Sequence, residues 1–300
     1  NEEIERLRQQ YIDDVTLALD DPSSIARFIG AKVLYGNSAY GHPLMGTLES
    51  LKRISRQDIV RMHRVYYRPD NAILVIGGDV NSAAGFNIAR RFFGTWVKPG
   101  IPLTVSKGVD KQSLETKARV VVVDKPDAGQ AAVFIVHAGI DRKSSEYFSG
   151  LVANSVLSGY SGRLNQEIRI KRGLSYGAGS VLDARRGVGP FVASAQTKNE
   201  SGAEVAKLLM LGMPGLYTTP PPDAELTTRK AYLIGEFSRS LETLTGLVNR
   251  ISGLALFGLK LDEINRFIDN VQAIKADDVK RFAMSMMGPE STSIIIVGKA

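Results

Sequence analysis

Ile54-Ser55-Arg56-Gln57-Asp58-Ile59-Val60-Arg61 and Ile274-Lys275-Ala276-Asp277-Asp278-Val279-Lys280-Arg281 decide how this chain is read, because what surrounds them repeats as well. After the first stretch come Pro69, the apolar run Ile73-Leu74-Val75-Ile76 and Gly78. After the second come Pro289, Ile294-Ile295-Ile296-Val297 and Gly298. Ile54/Ile274, Asp58/Asp278, Pro69/Pro289 and Gly78/Gly298 are each 220 positions apart. The second copy runs whole from a strand near Val120 to Gly298. The same step places the start of the first copy about 100 positions before Asn1, so the chain is expected to open in the middle of a domain.

Three hundred residues accommodate about two domains. There are no cysteines, which excludes disulfides, thiolate metal sites and cysteine nucleophiles. The net charge of +7 is spread as single or paired basic residues, such as Arg90-Arg91, Lys171-Arg172 and Arg185-Arg186. No dense basic block interleaves with aromatics, so nucleic acid is not the expected partner. No apolar run approaches a membrane span. No secretory signal is visible, which says nothing of location if about 100 residues precede Asn1.

Along the chain, Ile4, Leu7, Tyr11, Val15 and Leu19 mark an amphipathic helix from Glu2 to Leu19. Asp20-Asp21-Pro22 ends it, and Asp21 and Pro22 suit the cap and first position of the next. Short helices start at Thr47 and Ser55, Ile73–Ile76 reads as a buried strand, and Ala83–Phe93 as a helix. From Trp96 to Lys117 there is no period, and Pro99, Gly100, Pro102 and Gly108 sit among polar residues. The organisation expected is 1–97 for the C-terminal part of a first domain, 98–117 for a linker and 118–300 for a second domain. In the second, strands near 119–123, 131–137, 175–182 and 189–195 accompany helices at 144–157, 162–172, 202–211, 223–241 and 243–257. Strict strand–helix alternation is absent. The expected class is therefore α+β: two homologous domains of mainly antiparallel sheet with helices on one face, the first truncated at its N-terminus.

Chemistry-bearing motifs are few. His42, His63 and His137 have no second histidine at ligand spacing, and neither H-E-x-x-H nor H-x-x-E-H occurs. Packing or capping accounts for all three. Asp13-Asp14 and Asp20-Asp21 suit exposure and capping. Leu157-Ser158-Gly159-Tyr160-Ser161-Gly162 reads as a flexible turn rather than a phosphate cradle. The sharpest local signal is Arg163 to Gly177, where a helix ends at Gly173 and a strand follows at once. Arg169 and Tyr176 can point to one place and together hold a carbonyl oxygen or carboxylate. The alternative at this stage is that Arg169 serves the helix C-terminal carbonyls and Tyr176 packs.

These residues resemble the insulinase/pitrilysin family of zinc metallopeptidases, which includes the mitochondrial processing peptidase. The motif is Gly159-Tyr160-Ser161-Gly162-Arg163-Leu164, then Arg169 and Gly173-Leu174-Ser175-Tyr176. Upstream, His42-Pro43, Gly46-Thr47, Tyr67-Arg68-Pro69-Asp70-Asn71-Ala72 and Gly78-Asp79 stand in the family's order. The resemblance implies two homologous α+β domains closing over a peptide. It implies that Arg169 and Tyr176 hold the substrate backbone near a zinc ion. The zinc-binding H-x-x-E-H of that family is absent here, and its later glutamate falls near Asp14, one methylene too short. The expectation is a non-catalytic subunit or domain that binds extended peptide and supplies Arg169 and Tyr176 to a homologous zinc-bearing partner, with no catalytic residue, metal ligand or cofactor of its own. An alternative is a fragment of an active zinc metalloendopeptidase whose H-x-x-E-H lies ahead of residue 1. A third is a scaffold like the core subunits of respiratory complexes. The family leans towards a bacterial, periplasmic rather than cytoplasmic, location.

Overall fold

The computed structural model describes residues 1–104, 108–109, 114, 117–212, 214–286 and 292–299. Helix α1 spans Glu2–Asp20 and α2 spans Pro22–Tyr35. The break between them follows from local chemistry. Proline disfavours helical geometry at the residue before it, and Asp21 is extended there. Its carboxylate accepts from the Ser24 amide at 2.8 Å, and Pro22 takes the first position, where no amide is needed. Helices α3 (Leu48–Arg53) and α4 (Arg56–Tyr66) each open with a reciprocal capping box, Thr47 with Ser50 and Ser55 with Asp58. Helix α5 spans Ser82–Phe93.

The rest builds around one sheet. Its strands are β1 (Val120–Asp124), β2 (Ala131–Ala138), β3 (Ser175–Leu182), β4 (Pro190–Thr197) and β5 (Ser293–Gly298), in the order β1-β5-β2-β4-β3. The β2–β5, β2–β4 and β3–β4 pairings are antiparallel and β1–β5 is parallel. Helices α6 (Tyr147–Leu157), α7 (Arg163–Asn165), α8 (Gly202–Gly212), α9 (Gly215–Thr218), α10 (Asp223–Leu241), α11 (Leu244–Leu256), α12 (Glu263–Ala273) and α13 (Ala276–Met286) complete the α+β unit.

Strand alternation sorts the core into two layers. Val133 and Ile135 of β2, with Phe191, Ala193 and Ala195 of β4, face the main helical layer, where Val152, Leu209 and Phe282 are fully buried. Ala132, Phe134 and Val136, with Ile295 and Val297 of β5, face the other way against Ala26, Leu34 and Tyr35 of α2. Helix α2 therefore closes part of the second sheet face. A Cβ added at Gly30 would stand 2.9 Å from a Val136 methyl, so a side chain there would hold α2 off β2.

The 220-residue repeat is visible as geometry. Helix α4 runs 56–66 and α13 runs 276–286. Ile54 and Ile274 end the preceding helices with nearly the same backbone, φ −61°, ψ 120° and φ −67°, ψ 129°. Asp58 accepts from the Ser55 amide at 3.0 Å and from Arg61; Asp278 accepts from the Lys275 amide at 2.8 Å and from Arg281. Pro289 lies outside the described residues.

Two expectations need correcting. Ile73–Ile76 forms no strand, and Ile73, Leu74 and Ile76 are exposed. A strand requires neighbouring backbone to take its amides and carbonyls, and among the described residues no backbone hydrogen bond reaches this segment, which lies near the side chains of α11 instead. The helix expected over 162–172 is one α-turn, Arg163–Asn165, followed by a π-helical stretch, Gln166–Lys171. Part of the aperiodic stretch 98–117 (105–107, 110–113 and 115–116) lies outside the described residues. In the described part, Val109 and Leu114 are buried in the α2-side cluster, and the Val188 amide donates to the Val109 carbonyl at 2.9 Å.

Candidate functional site

Strand β3 is an edge of the sheet, and its first residues are bulged. Ser175 pairs with Thr197 and Ala178 with Ala195, so two residues, Tyr176 and Gly177, stand opposite Gln196 alone. Such a bulge re-aims side chains at a sheet edge. The Tyr176 side chain is 86% exposed. It lies on the sheet face that α2 covers only in part. Ser23 and Arg27 of α2, Phe134, Ser194 and Gln196 line the same open groove, of about 530 Å³. Gln196 Nε2 donates to Ser23 Oγ at 2.7 Å, which ties the groove floor to its wall.

Arg169 sits in the π-helical stretch, an uncommon geometry that recurs at functional sites. The wider turn carries Arg169 round to Tyr160, with its guanidinium carbon 5.7 Å from the ring centroid. Asn165 fixes this arrangement from beneath. It is buried, its Nδ2 donates to the Tyr160 carbonyl at 2.7 Å, and its Oδ1 accepts from the Ala178 amide at 3.3 Å. One amide side chain thus ties the 158–162 loop and the helix start to β3. Gly173 reverses the chain at φ 65°, a conformation glycine adopts without strain. The Leu174 carbonyl accepts from Thr197 Oγ1 at 2.5 Å and seats the strand start.

The two residues singled out from sequence therefore flank one hairpin, but no hydrogen bond joins them. Arg169 stacks on Tyr160, and Tyr176 faces the groove with Arg27. Neither takes the structural alternative: the Arg169 side chain donates to no helix carbonyl, and Tyr176 does not pack. Other motif residues are structural. Arg163 makes a two-pronged ion pair with Glu225 at 2.6 and 3.0 Å and donates to the Thr219 carbonyl at 2.7 Å. Arg68 is buried against Asp70, at 2.5 and 2.9 Å, and the Ile101 carbonyl. That fork holds the Asp70 carboxyl below the usual carboxylate range.

Zinc does not fit the described residues. No group of three histidine, aspartate or glutamate side chains stands together among them. His42 contacts the Asn37 carbonyl at 3.3 Å, His63 stacks on Tyr67 at 5.0 Å, and His137 is buried within β2. Asp14 is exposed on α1. No described helix is long and apolar enough to cross a membrane.

An α+β sheet with a bulged, open edge at β3, a re-aimed tyrosine and, among the described residues, no metal cluster defines a class before it defines a family. The sequence pattern of the peptidase M16 inactive domain matches residues 53–233, and the chain belongs to that family. An uncharacterized zinc protease of Streptomyces coelicolor is 24% identical over 99% of this chain, and the chain spans only 65% of that relative's length. The crystal structure of a peptidase M16 inactive domain from Pseudomonas fluorescens superposes with a TM-score of 0.91 at 22% identity, over 100% of this chain and 71% of that one. A protease structure from Helicobacter pylori gives 0.90 at 20%, over 99% and 72%.

Sequence reasoning missed Tyr160, Asn165, Arg27 and Gln196. Tyr160 was hidden in a glycine-rich turn. Arg27 and Gln196 become site residues only through the packing of α2 on the sheet, which no local pattern announces.

Proposed function

We propose that this chain is the substrate-holding, non-catalytic part of an M16-type peptidase. An extended peptide adds to the free edge of β3, where backbone hydrogen bonds supply affinity. Tyr176 offers a hydroxyl to a peptide carbonyl, and Arg169, steadied by Tyr160 and Asn165, offers a guanidinium fork. The observation that carries this reading is the bulged edge strand with Tyr176 standing free over the groove. The zinc and its ligands then belong to a homologous partner subunit. Mixing the chain with such a partner tests the reading. Arg169→Ala and Tyr176→Phe are expected to lower peptide hydrolysis by the pair at least about tenfold, one hydrogen-bonding group each to a charged or polar partner. Unchanged hydrolysis in both variants overturns it.

A second reading is favoured by the length of the relatives. The chain spans 65% of a protein described as a zinc protease, so the metal ligands of an active enzyme can lie outside residues 1–300. Chelator-sensitive hydrolysis by the full gene product alone selects this reading over the partnered one.

A further inference from the structure

A second cavity, of about 540 Å³, opens in the helical layer on the far side of β3 from α2. Arg142, at the entrance to α6, and Arg250, on α11, both line it. Arg142 is buried, lies 3.6 Å over the Tyr147 ring and is paired with Glu263. Arg250 is partly buried over the stacked rings of Phe237 and Phe267, 4.9 and 5.3 Å from their centroids. Among the described residues no carboxylate lies within ion-pairing distance of Arg250. Glu263 is engaged by Arg142, and Asp183, which also faces the cavity, is engaged by Arg185 at 2.6 Å.

The charge count at this place is unbalanced. Two guanidinium groups repel each other across one carboxylate. Burial pushes Arg250 below its ordinary value; Tyr147 and Glu263 oppose that shift and Arg142 adds to it. A partly desolvated cation is costly unless an anion meets it. The aromatic stack supports Arg250, which also lines the cavity. The Asn249 amide, exposed on the same helix, lines the rim as a neutral donor.

We propose that this cavity binds a phosphate-type oxyanion, as free phosphate or a phosphate monoester, between Arg142 and Arg250 with Asn249 at its edge. Two planar forks suit the several oxygens of such a group better than a single carboxylate. The site lies on the helical side of the sheet, away from the peptide groove, so its occupancy stands or falls apart from peptide binding.

Isothermal titration of the chain with inorganic phosphate and with glycerol phosphate, at ionic strength held constant by sodium chloride, tests this. One saturable site is expected. Arg250→Gln is expected to weaken it at least tenfold, and Asn249→Asp, which places a carboxylate at the rim, to abolish it. Arg172→Gln, on the surface near α8, is expected to bind within twofold of the parent. Tighter binding of the ester or of the free ion tells which one the cavity fits. Circular dichroism establishes folding of each variant. If Arg250→Gln fails to fold, the exposed Asn249→Asp decides. Absence of saturable binding, or binding within twofold in the folded variants, overturns the proposal.

Discussion

Helix α4 with segment 73–78, and helix α13 with β5, are the same local sequence pattern placed 220 residues apart in different surroundings. Both helices have eleven residues, the same aspartate at the third position and the same arginine partner. Their burial differs completely. Helix α13 buries Val279, Phe282, Ala283 and Met286, whereas α4 buries no residue. Val297 and Ile295 of β5 are fully buried between β1 and β2, whereas Ile73 and Leu74 are 61% and 54% exposed. The contrast teaches that capping and (i, i+3) pairing suffice to shape the helix. The strand exists only where neighbours take its backbone groups. The partners of β5 come from far back in the chain: Val120 lies 174 positions before Ile294, and Ala132 lies 165 positions before Val297.

The largest effect that sharpens this contrast is a buried charge. Ile295→Asp puts an unpaired carboxylate into the centre of the sheet and is expected to cost about 4 kcal/mol or more, enough to unfold the second copy. Val75→Asp, its counterpart, sits in an unpaired segment and is expected to change stability by at most about 0.5 kcal/mol. Urea denaturation followed by circular dichroism measures both. Equal losses would mean that the first copy is as well packed as the second.

Next in size is the helix face. Phe282 is fully buried against Gly150 of α6, so close that a Cβ on Gly150 would stand 2.9 Å from its ring. Phe282→Ala is expected to cost about 3–5 kcal/mol through lost contacts and the cavity left behind. Met62 holds the same position on α4 and is 61% exposed. Met62→Ala is expected to cost less than about 0.5 kcal/mol. Thermal melting of the two variants checks the difference.

How much of this was legible in sequence follows from the same distinction. The α1–α2 break at Asp21-Pro22, the start of α4 at Ser55 and the repeat itself are read from local chemistry, and the structure keeps them. The π-helical turn at Gln166–Lys171 was not legible, because a sequence carries no marker for one widened turn. It depends on Asn165 being anchored to Tyr160 and Ala178 across a loop and a strand. Arg169 and Tyr176 were found from the spacing of a motif. Arg27 was not, since it reaches the Tyr176 groove only when α2, 149 positions earlier, packs on the sheet. Likewise Ile73–Ile76 has the composition of a buried strand, and composition does not reveal whether neighbours are at hand.

The smallest effect concerns a difference at the cap position of the two helix starts. In α4 the Ser55 hydroxyl accepts from the Asp58 amide at 3.2 Å while Asp58 accepts from Ser55, which completes a box. In α13 the corresponding residue is the exposed Lys275, whose amide donates to Asp278 but which has no hydroxyl to return. Lys275→Ser is therefore expected to stabilise the second copy by about 0.5–1 kcal/mol, and Ser55→Ala to weaken α4 by a similar amount. The pH dependence has a definite sign. The Ser55 hydroxyl and amide hold the Asp58 carboxyl below its ordinary value. A carboxyl whose folded value is depressed contributes stability above its unfolded value and loses it as pH falls through the folded one. The cost of Ser55→Ala should accordingly be full at neutral pH and shrink in acid, as amide hydrogen exchange in α4 would record. A cost that stays constant into acid would assign the effect to the hydroxyl alone and remove the carboxylate from the cap.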